Sequence, residues 1–238
     1  MRRALFPVIL GLAATLAASS FADDKPAAPP PPAAPEPKLQ SLPPEKVQAS
    51  VVRVQAFYDK TGSFASEFTQ EFWVKAYNQK KVSKGKVTIS KPGKMHWHYD
   101  EPRDNRVVSD GATVKVYEHA NKQMYEQAVD KSQYPAALSF LTGTGKLSET
   151  FNFELFPGEK MAFPGGEVLV GTPKVATPAY SKVLFYVDSQ TAQIRRVLII
   201  DAQGNRNRFD FVNPQVNQPV AAEFFRFTPP PGTQIVRP

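Results

Sequence analysis

No cysteine occurs among the 238 residues, and there are only three histidines and two tryptophans. Without cysteine there is no disulfide, no thiol nucleophile and no thiolate-ligated metal. There is also no cysteine to accept an acyl chain, so the protein is not expected to be lipidated at its own N-terminus. Its stability must come from a hydrophobic core. Long apolar runs are equally scarce. Ala4 to Ala18 is the longest, and it falls short of the roughly 20 residues that span a bilayer. Catalytic signatures are missing too. No Gly-x-Ser-x-Gly elbow and no phosphate-binding loop occurs. Gly143-Thr144-Gly145-Lys146 lacks the required spacing, and Asp100-Glu101 beside Pro102 reads as a turn. No enzymatic activity and no cofactor is expected.

The N-terminus carries an address. Arg2 and Arg3 precede the apolar run, and Ser20-Phe21-Ala22 places small residues where a signal peptidase reads them. Residues 1–22 are therefore expected to be a cleaved signal peptide. Their removal takes away two arginines and no acid, so the net charge falls from +7 to +5. Export makes nucleic acid an unlooked-for partner. Residues 23–40 are expected to be a disordered linker, because seven prolines fall between Pro26 and Pro37 and favour extended polyproline II. Residues 41–238 are long enough for one sizeable β domain.

Within that domain the apolar period changes once. Ser41 to Asp59 reads as a helix, with prolines in its first turn and Val47, Val51, Val54 and Tyr58 forming one stripe. From Phe64 the period is two. Phe64, Ser66, Phe68, Gln70, Phe72 and Val74 alternate with Glu67, Thr69, Glu71 and Lys75, which marks a half-buried strand. Met95, Trp97 and Tyr99 alternate in the same way with Lys94, His96 and His98. Further strands are predicted at 84–90, 106–109, 113–118, 123–128, 149–156, 167–172, 181–187, 193–201, 205–212 and 223–228. A short helix is predicted from Tyr134 to Leu141. The predicted class is mainly β with some α: a large curved antiparallel sheet, or half-open barrel, covered by a helical lid and enclosing an apolar cavity. Phe68, Phe72, Met95, Trp97 and Tyr99 are the candidate lining of that cavity.

Two clusters carry open or bland readings. His96, His98 and His119 hold the residue type of a metal triad, yet they alternate with the apolar set and read as solvent-facing. Lys75, Lys80, Lys81, Lys84, Lys86, Lys91 and Lys94 suit either protection of a strand edge or docking of an acidic partner.

Four motifs occur in one order: Phe64-x-x-x-Phe68-Thr69-Gln70, Lys91-Pro92-Gly93-x-x-x-Trp97-x-Tyr99-x-x-Pro102, Val108-Ser109-Asp110-Gly111, and Phe225-x-Phe227-Thr228-Pro229-Pro230-x-Gly232. Together, from Val47 to Gly232, they resemble the LolA family of periplasmic lipoprotein carriers. The resemblance implies a monomeric soluble carrier for the acyl chains of lipoproteins. Such a carrier takes its cargo from an inner-membrane lipoprotein-releasing transporter and passes it to an outer-membrane lipoprotein receptor. It also implies that Lys91 stands where the family often has an arginine that holds the lid closed, and that Met95 lies near the cavity mouth. The alternative within the same fold is a lipid-sensing or glycolipid-binding regulatory protein of the envelope.

Overall fold

The computed structural model describes residues 39–131, 138–143 and 145–237; the signal-peptide expectation and most of the linker lie outside them. Helix α1 spans Pro44–Asp59. Proline at its start costs nothing, because the first-turn amides have no intrahelical acceptor. The expected stripe is buried at Val51, Val54 and Tyr58, with Val47 half-buried at the entry.

The strands are β1 (Ser63–Val74), β2 (Gln79–Ser90), β3 (Lys94–Glu101), β4 (Arg106–Asp110), β5 (Thr113–Glu118), β6 (Gln123–Ala128), β7 (Phe151–Pro157), β8 (Gly166–Pro173), β9 (Lys182–Asp188), β10 (Ile194–Ile200), β11 (Arg206–Val216) and β12 (Gln234–Val236). They form one open curved sheet in the order β12-β6-β5-β4-β3-β2-β1-β11-β10-β9-β8-β7. Two meanders are therefore joined where β1 meets β11, with Phe68 opposite Phe211 and Gln70 opposite Phe209. All ladders are antiparallel except β12 on β6. Between β2 and β3 the register shifts at Lys84/Gly85. A Cβ on Gly85 would lie 2.0 Å from the His98 carbonyl oxygen, so this close crossing requires glycine.

Each face of the sheet buries its own apolar set. The inner face, beneath α1, carries the main core: Phe64, Phe68, Trp97, Phe185, Phe209 and Phe211 with Val51, Val54 and Tyr58 of the helix. Two short helices, α2 (Ser139–Thr142) and α3 (Leu147–Thr150), add Phe140, Leu141 and Leu147 to it. The outer face buries Phe156, Val168, Val170, Leu184 and Tyr186 in a second cluster, flanked by Met161 and Phe163.

Several elements differ from the expectations. The strand predicted at 223–228 is a short 3-10 turn, Ala222–Phe225, followed by an extended strap across the outer face of β3 to β5. The alternation there has another cause than pairing. Phe225 is buried, the Phe227 ring lies tilted at 5.4 Å from Tyr117, and Lys115 donates to the Phe227 carbonyl at 3.0 Å. The prolines at 229–231 then remove the donors a strand would need. β12 follows and was not predicted, being three residues long. The strand predicted to begin at residue 84 begins at Gln79, and the one at 149 begins at Phe151 after α3. Of the helix predicted from Tyr134, residues 134–137 lie outside the described residues, and α2 ends at Thr142 with Gly143 at φ +74°. β2 lies between β1 and β3, so Lys84 and Lys86 are not on an edge; only Gln79–Ser83, paired with β1 alone, is a free edge.

Candidate functional site

The inner face is floored by aromatic rings from β1, β3 and β11, with β2 lying between β1 and β3. Phe68 of β1 meets Trp97 edge-on at 5.0 Å and Tyr99 at 5.1 Å. Trp97 in turn meets Phe209 of β11 at 5.4 Å and Phe211 at 6.4 Å. Alternation on β3 puts Met95, Trp97 and Tyr99 on this face, all buried. Of the five predicted lining residues, Phe68, Met95, Trp97 and Tyr99 thus come together in one apolar cluster. Phe72 shares their face but stands two residues beyond Gln70, half-buried. Between them lies a polar girdle: Tyr99 Oη donates to Gln70 Oε1 at 3.0 Å, and Gln70 Nε2 donates to Asn207 Oδ1 at 2.9 Å. Among the described residues the Trp97 indole N–H has no hydrogen-bond partner, although the residue is 0% exposed. A buried donor left unpaired costs about 1–3 kcal/mol.

The described side chains of this face are buried against one another, and a groove lies to one side. A groove of about 440 Å³ separates the first half of α1 from β7, lined by Leu42, Val47, Val51, Phe151 and Phe153, with Lys174 at the rim. The predicted cavity residues do not line it.

The lid is held at identifiable points. Near its middle, Ser50 Oγ donates to Glu167 Oε1 at 2.5 Å, and Arg53 pairs with the same carboxylate at 2.6 Å and donates to the Ser189 carbonyl at 2.8 Å. Tyr58 Oη accepts the Ile194 amide at 3.0 Å and its ring meets Phe140 at 4.9 Å. Burial pushes that phenol far above its ordinary range. At the C-terminal end, Lys91 Nζ donates to the Tyr58 carbonyl, which also accepts the Thr61 amide at 3.1 Å. The Lys91 ammonium is held below its usual pKa, chiefly by burial, with the charge of Asp59 acting in the opposite sense. The turn after Lys91 also clips α2, because the Gly93 amide donates to the Thr142 carbonyl at 2.9 Å. Lys91, Tyr58 and Thr142 therefore join β3's entry turn, the lid and the short second helix.

The three histidines do not converge. His96 and His98 lie on the outer face with ring centres 6.3 Å apart. Arg106 donates to His96 Nε2 at 3.3 Å, so Nδ1 carries the proton and donates to the Phe224 carbonyl at 3.0 Å. His119 packs instead beside Tyr117. Among the described residues, no group of three His, Cys, Asp or Glu is placed to hold a metal ion.

Phe209, Phe211, Tyr58 and Glu167 are part of this arrangement and were not in the predicted set. Alternation in 205–212 could have put Phe209 and Phe211 on one face. That the face is shared with Trp97 depends on the β1–β11 pairing, which local pattern does not reveal.

An open curved sheet with one aromatic face roofed by a pinned helix defines the class of protein. The family model described as outer membrane lipoprotein carrier protein LolA matches residues 59–228, and the chain belongs to that family. Its relatives include the outer-membrane lipoprotein carrier protein of Cupriavidus necator, 28% identical over 192 residues that cover 79% of this chain and 88% of the relative. The protein of the same name from Bordetella avium is 28% identical over 185 residues, covering 78% and 86%. A crystal structure of an uncharacterized conserved protein from Thermus thermophilus shares the fold at 13% identity, with a TM-score of 0.50 over 81% of this chain and 99% of that one.

Proposed function

We propose that this protein is a periplasmic carrier that takes the acyl chains of a lipoprotein onto its inner face beneath α1. It receives them at the inner membrane from a releasing transporter and gives them up to an outer-membrane receptor. Residues 1–22 act as the export signal and residues 23–40 as a tether. No catalysis is needed for this work.

The observation that carries the reading is the aromatic floor under a lid pinned by a few polar contacts. Withdrawing an acyl chain from a membrane costs about 0.8 kcal/mol per methylene. A carrier must supply comparable apolar area and still release it. Phe68, Trp97, Phe209 and Phe211 supply the area. The Lys91, Glu167 and Arg53 contacts bias the lid without locking it, since each is a half-exposed polar interaction. Closed over its own rings, the protein shields that surface from water while empty.

The test is to mix the purified mature protein with vesicles bearing a synthetic triacylated lipopeptide. A carrier draws the lipopeptide into a soluble one-to-one complex. Lipopeptide that stays with the vesicles at a large protein excess rules the reading out.

A further inference from the structure

The unpaired indole of Trp97 points to the chemistry of the cargo, an inference that rests on the carrier reading. Buried polar groups on and around the inner face otherwise have partners. Tyr99 and Gln70 are bonded within the girdle, Tyr58 Oη accepts the Ile194 amide, and Ser66 Oγ donates to the Val212 carbonyl at 2.8 Å. Of the other side-chain atoms without a hydrogen bond, Arg208 Nε sits 2.8 Å from Asp210 and Glu126 Oε2 sits 2.7 Å from Arg237, both in ion pairs, and Arg195 is only partly buried. Trp73, the second tryptophan, donates to Asn78 Oδ1 at 3.0 Å. Trp97 Nε1 alone in this set is fully buried with neither a hydrogen bond nor a charge beside it. Around it stand Phe68, Phe209 and Phe211, whose ring faces offer an N–H only a weak contact.

We propose that the Trp97 indole N–H binds the carbonyl of an acyl ester linkage in the cargo once the chains have parted the rings around it. The methylenes of an acyl chain bring no acceptor, whereas each ester brings one. A carbonyl drawn into a water-free face has a strong need of a donor, and Trp97 is the free donor in the apolar floor. The site therefore distinguishes ester-linked chains from ether-linked chains of the same length. The girdle of Gln70, Tyr99 and Asn207 borders the same floor, and there Tyr99 Oη and Gln70 Nε2 already donate within the girdle.

The experiment compares dipalmitoylglycerol with its dihexadecyl ether analogue, each titrated into the mature protein and into Trp97→Phe. The protein binds the diester about tenfold more tightly than the diether, and Trp97→Phe brings the two within about twofold, on the scale of one lost hydrogen bond. In a nitrogen-15 spectrum the chain shows two indole signals. The one missing from Trp97→Phe moves downfield with the diester and not with the diether, while that of Trp73 stays. Equal affinity for the two lipids with an unmoved Trp97 signal overturns the ester site and leaves the carrier reading intact. If neither lipid binds, both readings are overturned. If Trp97→Phe does not fold, the two lipids on the unaltered chain still decide.

Discussion

Replacing Lys91 with methionine removes the lid's C-terminal tie while keeping its packing. The lysine stem lies against Gly143, where a Cβ would come within 2.8 Å of Lys91 Cδ, and a methionine fills much of that space. What disappears is the ammonium's bond to the Tyr58 carbonyl. A hydrogen bond from a charged group contributes about 1.5–3 kcal/mol, and a cation at a helix C-terminus adds about 0.3–1 kcal/mol. The burial that depresses the Lys91 pKa opposes both. A net contribution of about 1 kcal/mol remains, equivalent to about a fivefold change in the lid's opening equilibrium. Hydrogen exchange measures this by segment. Amides of α1 lose protection about fivefold in Lys91→Met, those of β9 to β11 keep theirs, and transfer of a bound acyl lipid to acceptor vesicles speeds up. Unchanged protection in α1, or a loss spread evenly over the sheet, refutes the assigned role.

Trp97→Ala removes a fully buried ring from among three phenylalanines and costs about 3–5 kcal/mol in urea unfolding of the empty protein; a loss under about 1 kcal/mol would show that the floor is not packed as described. Glu167→Ala leaves Arg53 with the Ser189 carbonyl and Ser50 without its acceptor, so it destabilises by about 1–2 kcal/mol and loosens the first half of α1 in hydrogen exchange. His96 has its pKa lowered, first by burial and then by Arg106 and His98, against the bond to the Phe224 carbonyl. Between its folded pKa and 6.5 the unfolded chain binds more protons. Stability therefore falls as pH drops from 6.5 through the folded pKa, and the unfolding midpoint of His96→Gln varies less with pH over that window.

The parts of this structure set by local pattern were the parts that could be read beforehand. The stripe Val51, Val54, Tyr58 identified α1, and the alternations around Phe68 and Trp97 identified which side chains share the inner face. Contacts set by long-range pairing were not readable. Nothing near Glu167 signals that it will meet Ser50 and Arg53, and nothing near Phe209 signals that β11 will lie beside β1. The 223–228 segment misled for a physical reason: its alternate phenylalanines pack on the outer face, where side-chain burial copies a strand's pattern without a strand's hydrogen bonds. Whether the inner-face residues line a space or pack together was likewise not readable, because an apolar alternation is the same in both cases.

The central claim is that acyl chains take the place of the ring packing beneath α1. A palmitoyl lipopeptide carrying a photoreactive diazirine along its chain, bound to the mature protein, irradiated and mapped by mass spectrometry, tests this most directly. The account predicts cross-links on the inner-face residues of β1, β3 and β11, centred on Phe68, Trp97 and Phe211, and on the buried stripe of α1. Cross-links confined to the groove beside β7 or to the outer face would contradict it.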